Sequence, residues 1–291
     1  SNSNPLFAEL YSNLGNSEKE LGNYDSSRYY YQKSLANIQS QAHPDSNDYI
    51  QELRNVAEAR YRQQNTEEGD SLLLMALAIS ERVNGKQDII TSSVLNDLGL
   101  FSMTHARYKK ARDYFNRSLV IKDAVYGEKG HPNLSATLTN LGVLEETLGN
   151  LKRADSLFQR ALKMDTQLYG ENHPYVAMSK GHLATIYFKK KEYQKSKKLR
   201  EQAIATFLNI YGPEHQYVGV MYRNYAQLLS EMGSLKEAAI YYQKAGQIIL
   251  HKKSSSARDL ATFYRFSALN FFRMKDYSSA SERYAKAAPL Y

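Results

Sequence analysis

Residues 136–177 read ATLTNLGVLEETLGNLKRADSLFQRALKMDTQLYGENHPYVA, and this stretch decides the fold. Leu138, Leu141, Gly142 and Leu144 make one apolar stripe at helical spacing, and Ala154, Phe158, Ala161 and Leu162 make a second. Between them stands Leu148-Gly149-Asn150. A residue just past a helix C-terminus commonly turns left-handed, a conformation glycine enters without strain, so Gly149 marks the end of the first helix. The stretch predicts a helical hairpin.

The same two-residue word recurs along the whole chain, as Leu14-Gly15, Val56-Ala57, Leu98-Gly99, Leu141-Gly142, Leu183-Ala184, Tyr225-Ala226 and Ser267-Ala268, at intervals of 42, 42, 43, 42, 42 and 42 residues. So regular a beat predicts stacked copies of one supersecondary unit. The expected organisation is one repeat array over residues 1–291, with repeats near 8–49, 50–91, 92–134, 135–176, 177–218, 219–260 and 261–291, and residues 1–4 read as a tag remnant. In such an array each copy touches its neighbours, so length needs no growing central core and no linker. No Pro-, Gly- or Ser-rich linker interrupts the chain.

Other positions keep the beat. Gly22 and Gly233 match Gly149, and small residues recur in the second helix as Ala111, Ala154, Ser196, Ala238 and Ala280, where a neighbouring helix must come close. The connections between hairpins are Tyr126-Gly127 with His131-Pro132, Tyr169-Gly170 with His173-Pro174, and Tyr211-Gly212 with His215. Glycine closes the outgoing helix and proline suits the first turn of the next. The single 43-residue interval comes from one extra residue in the loop YGEKGHP, where insertion costs least.

On these residues the chain resembles a tetratricopeptide repeat array of the longer, 42-residue type found in kinesin light chains and many bacterial signalling proteins. The resemblance implies an all-α, right-handed superhelical solenoid of about seven helix-turn-helix repeats, and a bacterial source. Repeats two and five depart from the pattern. Gln64 and Lys191 replace the turn glycine, VNGKQDII lacks the His-Pro, and Arg200 stands where Phe158 does, so these repeats are expected to be the least regular.

The resemblance also implies that the first helices line a concave groove that binds a peptide or protein segment. The column just before the word reads Asn13, Asn55, Asp97, Asn140, His182, Asn224 and Phe266. A carboxamide both donates to and accepts from an extended backbone, which favours peptide binding. The competing reading has these side chains bonded to the next repeat or to water. Arg54, Arg223, Arg265 and Lys189 are candidate anchors for an acidic partner, against the alternative of surface ion pairing. The run FKKKEYQKSKKLR, residues 188–200, reads as a solvated face.

Composition narrows the function. A net charge of +8 fits an acidic partner or nucleic acid, but the charges are spread over all repeats, which makes nucleic acid the outlying reading. There is no cysteine, no HExxH pair, no phosphate-binding glycine loop and no nucleophile elbow. His43, His131, His173 and His215 fall one per linker, His105 and His251 are isolated, and no metal site is expected. The expected protein is therefore non-catalytic, without cofactor or metal, cytoplasmic unless exported and processed, and not a membrane protein. Two readings stand: a scaffold binding a peptide in its groove, and a regulatory repeat domain whose effector lies elsewhere in a larger signalling chain. Phe263, Phe266, Phe271, Phe272, Tyr284 and Leu290 in the last repeat, in place of a polar cap, raise the expectation that the natural protein continues or that this end packs on another chain.

Overall fold

The computed structural model describes residues 5–40, 46–62, 66–250 and 257–290, and every regular element among them is helical. Fourteen α-helices follow one another as seven hairpins: α1 Pro5–Glu20 and α2 Tyr24–Gln39, α3 Asn47–Arg62 and α4 Thr66–Val83, α5 Ile89–Thr104 and α6 Tyr108–Tyr126, α7 Pro132–Thr147 and α8 Leu151–Tyr169, α9 Pro174–Lys189 and α10 Tyr193–Tyr211, α11 Gln216–Glu231 and α12 Leu235–Ile249, α13 Ala257–Arg273 and α14 Tyr277–Ala287. The fold is an all-α helical repeat. Its chain divides into two compact units, Ser1–Leu144 and Glu145–Tyr291, with the boundary inside α7.

The repeated word explains the packing in each unit. In unit 1, a Cβ on Gly99 would lie 2.5 Å from the Phe115 ring, and a Cβ on Gly15 would lie 2.5 Å from the Tyr31 ring. Glycine therefore lets an aromatic ring of the second helix lie directly against the backbone of the first. Tyr31 and Phe115 are fully buried there, each burial favouring the fold by roughly 2 to 3 kcal/mol. Around them Ile50, Leu53, Leu73, Val94 and Leu95 form the unit 1 core. The unit 2 core gathers Phe207, Val218, Ala226, Leu228 and Ala245, with alanine in place of glycine in the repeated word. The small second-helix residues are buried throughout, and where serine occupies such a site it ties helices together. Ser34 donates to the Ala8 carbonyl at 2.8 Å, Ser118 to Ser92 at 2.7 Å and Ser196 to Ala184 at 2.7 Å.

Among the described residues the hairpin turns keep one geometry whatever residue occupies them. At Gly149, φ is +79°; its N–H donates to the Glu146 carbonyl at 3.1 Å, and the Asn150 N–H donates to Glu145 at 2.8 Å. This pair of bonds satisfies carbonyls that the helix end would otherwise leave open. Ala106, Lys191 and Lys275 occupy the equivalent position with φ of 55°, 61° and 65°. At Lys191 the same pair forms, to Phe188 at 3.0 Å and from Glu192 to Tyr187 at 2.8 Å. The expected irregularity of repeat five is thus overturned at the turn: α9 and α10 have 16 and 19 residues, as α7 and α8 do. Two hydrogen bonds and the packed helices hold a lysine where glycine is preferred. Gln64, His43 and His251 lie outside the described residues.

Connections between hairpins share a cap. His173 stacks on Tyr169 with ring centroids 4.4 Å apart, and its Nδ1 accepts from the Tyr175 N–H at 3.2 Å, closing the start of α9. His131 on Tyr126 and His215 on Tyr211 repeat the arrangement. Repeat two, without a His-Pro, uses Asp88, whose carboxylate accepts from the Ile90 N–H at 2.7 Å and caps α5.

Candidate functional site

In unit 1 three first helices present matching polar stripes. Ser12, Asn16 and Lys19 of α1, Gln51, Arg54, Asn55 and Glu58 of α3, and Asp97, Leu100, Phe101 and Thr104 of α5 are spaced by three and four residues, which places each set on one helix face. With Tyr61 and His105 they line a cavity of about 800 Å³. That is within the size range of ligand pockets, roughly 300 to 1,000 Å³.

The floor of this cavity is aromatic. Tyr61 stacks on Phe101 with centroids 3.6 Å apart and an interplanar angle of 10°, and His105 lies 5.5 Å from Tyr61. Tyr61 is held because its hydroxyl donates to Asp70, and burial with this carboxylate raises its pKa. The walls are charged but paired. Arg54 Nε donates to Asp97 Oδ2 at 2.6 Å, Arg54 Nη1 to Gln51 at 2.7 Å, and Lys19 lies 3.3 Å from Glu58. Asn55 accepts from Gln51 at 2.9 Å.

Behind this wall lies a buried cation. Lys122 of α6 is 3% exposed, and its Nζ donates to Thr137 Oγ1 at 2.7 Å. Thr137 Oγ1 is 3.2 Å from Asn96 Oδ1, which also accepts from Asn140 Nδ2 at 3.3 Å. Burial pushes the Lys122 amine down to about 8, against the opposing pull of Asp97.

Unit 2 gathers a different set. His182 stacks on Phe158 at 5.0 Å, and burial lowers its pKa against the nearby Glu146 carboxylate. Lys189 pairs with Glu146 at 2.9 Å, and Arg223 pairs with Asp259 at 3.2 Å. Arg200, from the second helix α10, is 4% exposed; its Nε donates to Ser196 Oγ at 3.3 Å and its guanidinium carbon lies 6.0 Å from the Phe188 ring centroid. Burial and the Arg223 charge push it down to about 10.

The sequence candidates thus fall into groups. Arg54, Asn55 and Asp97 meet at the unit 1 cavity, while His182, Lys189 and Arg223 share the charged environment of unit 2. Asn140 bonds to a neighbouring first helix through Asn96. Asn13 is exposed and absent from the cavity lining, where Ser12 and Asn16 stand for α1. Asn224 accepts from Arg223 at 3.4 Å, and Arg265 is exposed and lies 4.5 Å from the Phe266 ring centroid. Sequence reading passed over Lys19, Glu58, Tyr61, Phe101 and Lys122 as site residues. Glu58 and Tyr61 follow Arg54, and Phe101 follows Asp97, at three- and four-residue steps, and Lys19 stands one 42-residue repeat before Tyr61, signals that would have found them; Lys122 carried none. Among the described residues no group of three His, Asp or Glu could hold a metal ion, and no helix is long and apolar enough to cross a membrane.

Comparison with known proteins agrees with the repeat geometry. One family model described as tetratricopeptide repeat matches residues 49–124, 104–167, 133–195 and 175–248, and a second of the same description matches 7–36. No curated protein matches the sequence. Among solved structures, a STAND signal transduction ATPase with a tetratricopeptide repeat sensor from Pyrococcus horikoshii superposes with a TM-score of 0.73 at 18% identity, over 96% of this chain and 41% of that one. Apo RapI gives 0.70 at 15% identity over 97% of both chains. The Rap conjugation gene regulator of plasmid pLS20, in complex with the Phr* peptide, gives 0.67 at 15% identity over 96% of this chain and 72% of that one. At such identities the likeness concerns the fold.

Proposed function

The chain belongs to the tetratricopeptide repeat family, whose arrays serve as protein-interaction scaffolds, and from that premise we propose that it is non-catalytic and takes an extended peptide or protein segment on its first-helix faces. The observation that carries this reading is the unit 1 cavity. Three consecutive first helices line it with an aromatic floor at Tyr61 and Phe101 and with amide side chains at Asn16, Gln51 and Asn55. The floor suits an apolar side chain, and the amides suit a peptide backbone. The peptide held by the Rap regulator supports the same ligand class.

A direct test selects displayed peptides on the purified chain and maps the binders by backbone amide shifts. Shifts centred on Gln51, Asn55 and Phe101, with affinity falling about ten-fold or more in Phe101→Ala, are expected. Shifts confined to the second helices would refute the groove.

A second reading, a regulatory repeat domain within a larger signalling protein, is favoured by one observation: the Pyrococcus horikoshii neighbour carries its repeats as a sensor, and this chain covers 41% of it. Sequencing the open reading frame on both sides of residues 1–291 tests it; an adjoining effector domain is the expected result, and a frame that encodes no further domain on either side would remove the reading.

A further inference from the structure

Glu52 is a buried carboxylate in a column of uncharged side chains. At its place in the first helix the other repeats have Leu10, Val94, Thr137, Ser179, Met221 and Phe263. Glu52 is 5% exposed, and its Oε2 is sealed from solvent without a partner. Burying a carboxylate in this way costs stability, so its presence asks for a reason. Burial raises its pKa, against the hydroxyls of Ser12 on α1 and Ser34 on α2 and the Asn55 amide, which favour the charged form. The ionisable groups that act on it are Asp48 of its own helix and Tyr31 of α2, while Asp97 of α5 is taken by Arg54 at 2.6 Å. Two of its partners, Ser12 and Asn55, line the unit 1 cavity, and Glu52 itself stands behind that lining. Asn55 Nδ2 donates to Glu52 Oε1 at 3.4 Å, Gln51 Nε2 donates to Asn55 Oδ1 at 2.9 Å, and Arg54 Nη1 donates to Gln51 Oε1 at 2.7 Å. Along α3 the donors therefore run one way, from a guanidinium through two amides to a carboxylate. The Arg54 and Gln51 bonds are exposed and can exchange with water; the Glu52 end is buried, so it supplies the fixed acceptor.

We propose that Glu52 is a positioning residue of the unit 1 cavity: its negative charge, set behind the wall, fixes the direction in which the Asn55 amide faces a bound peptide. This rests on the peptide-binding reading above and adds the group that orients one of its amides. An ionised carboxylate only accepts, so Asn55 must turn its NH2 toward Glu52; a neutral carboxyl both donates and accepts, and protonation therefore releases Asn55 to turn over. A peptide backbone presents its N–H and C=O groups at fixed places, so a reversed amide sets donor against donor. Acid thus loosens the hold on the peptide through a group outside the cavity lining.

The test uses the tightest displayed peptide that contains no Asp, Glu or His, dye-labelled and read by fluorescence anisotropy from pH 7.5 to 4.5 on the unaltered chain and on Glu52→Gln. The variant profile carries whatever His105, Glu58 and Asp97 of the lining contribute, so the difference between the two chains belongs to Glu52. The unaltered chain is expected to bind about five-fold or more tightly than Glu52→Gln at pH 7.5, and the two to agree within about two-fold at pH 4.5. A ratio that stays constant with pH marks a merely structural loss and overturns the proposal. In the free chain the Asn55 side-chain amide resonance should titrate with a midpoint above the ordinary carboxylate range and cease to do so in Glu52→Gln. An Asn55 resonance that stays fixed in the unaltered chain overturns the proposal, and that measurement stands even if Glu52→Gln does not fold. Peptide binding centred on Phe101 with equal affinity in both chains at pH 7.5 removes the role of Glu52 and leaves the groove standing. No peptide binding at all would overturn the peptide reading and this role with it.

Discussion

Each unit buries one cation from a second helix, and the two resolve it differently. Lys122 in unit 1 donates a hydrogen bond to Thr137 Oγ1, feels the favourable charge of Asp97, and has an amine that can lose its charge. Arg200 in unit 2 has a hydroxyl and a ring for neighbours, and a guanidinium does not neutralise near pH 7. Lysine lets the fold relieve a buried charge from within. Arginine keeps its charge inside the fold.

The largest expected effect breaks the first half of this contrast. A lysine held at about 8 inside the fold lowers stability below that pH by roughly 3 kcal/mol, since its unfolded value is near 10.4. Between about 8 and 10 the unfolded chain still binds a proton that the folded chain has released, so stability rises with pH across this window. Lys122→Met is expected to raise unfolding free energy by about 2 kcal/mol at pH 7, after losing the Thr137 bond, and to flatten that rise. Urea unfolding followed by circular dichroism at several pH values measures both, and a wild-type profile already flat from 8 to 10 would contradict the assignment.

A smaller change sharpens the comparison. Asp97→Asn removes the carboxylate that supports both Arg54 and Lys122, at an expected cost of about 1.5 kcal/mol at pH 7. Because the lysine then loses its favourable neighbour, the pH window should open lower than in the unaltered chain. An unchanged window would mean that Asp97 does not act on Lys122.

The smallest effects concern the turns that the units share. Gly149→Ala is expected to cost about 1 kcal/mol, whereas Lys191→Gly should gain about 0.5 kcal/mol, because φ near 60° strains a residue with a Cβ. Thermal melts of the two variants should move in opposite directions; parallel shifts would show that Lys191 is not strained.

Much of the fold was legible in the sequence, and the residues show why. Leu138, Leu141 and Phe158 announce their faces by spacing, since apolar periodicity and core burial are the same physical fact. The turn at Lys191 was not legible, because two backbone hydrogen bonds enforce a conformation that the side chain disfavours. The site was only half legible. Helical phase placed Arg54 and Asn55 at the cavity, but it could not say that Arg54 would already be committed to Asp97, or that Asn140 would turn to Asn96. Those outcomes depend on side-chain reach across helices separated by more than 40 residues in sequence, which no local pattern records.

The histidine caps between hairpins carry one more consequence. An Nδ1 that accepts an amide hydrogen must be the bare nitrogen, so the ring hydrogen of His131, His173 and His215 resides on Nε2. All three junctions are therefore locked in one tautomer, and each ring has its remaining N–H free to donate away from the helix start it closes.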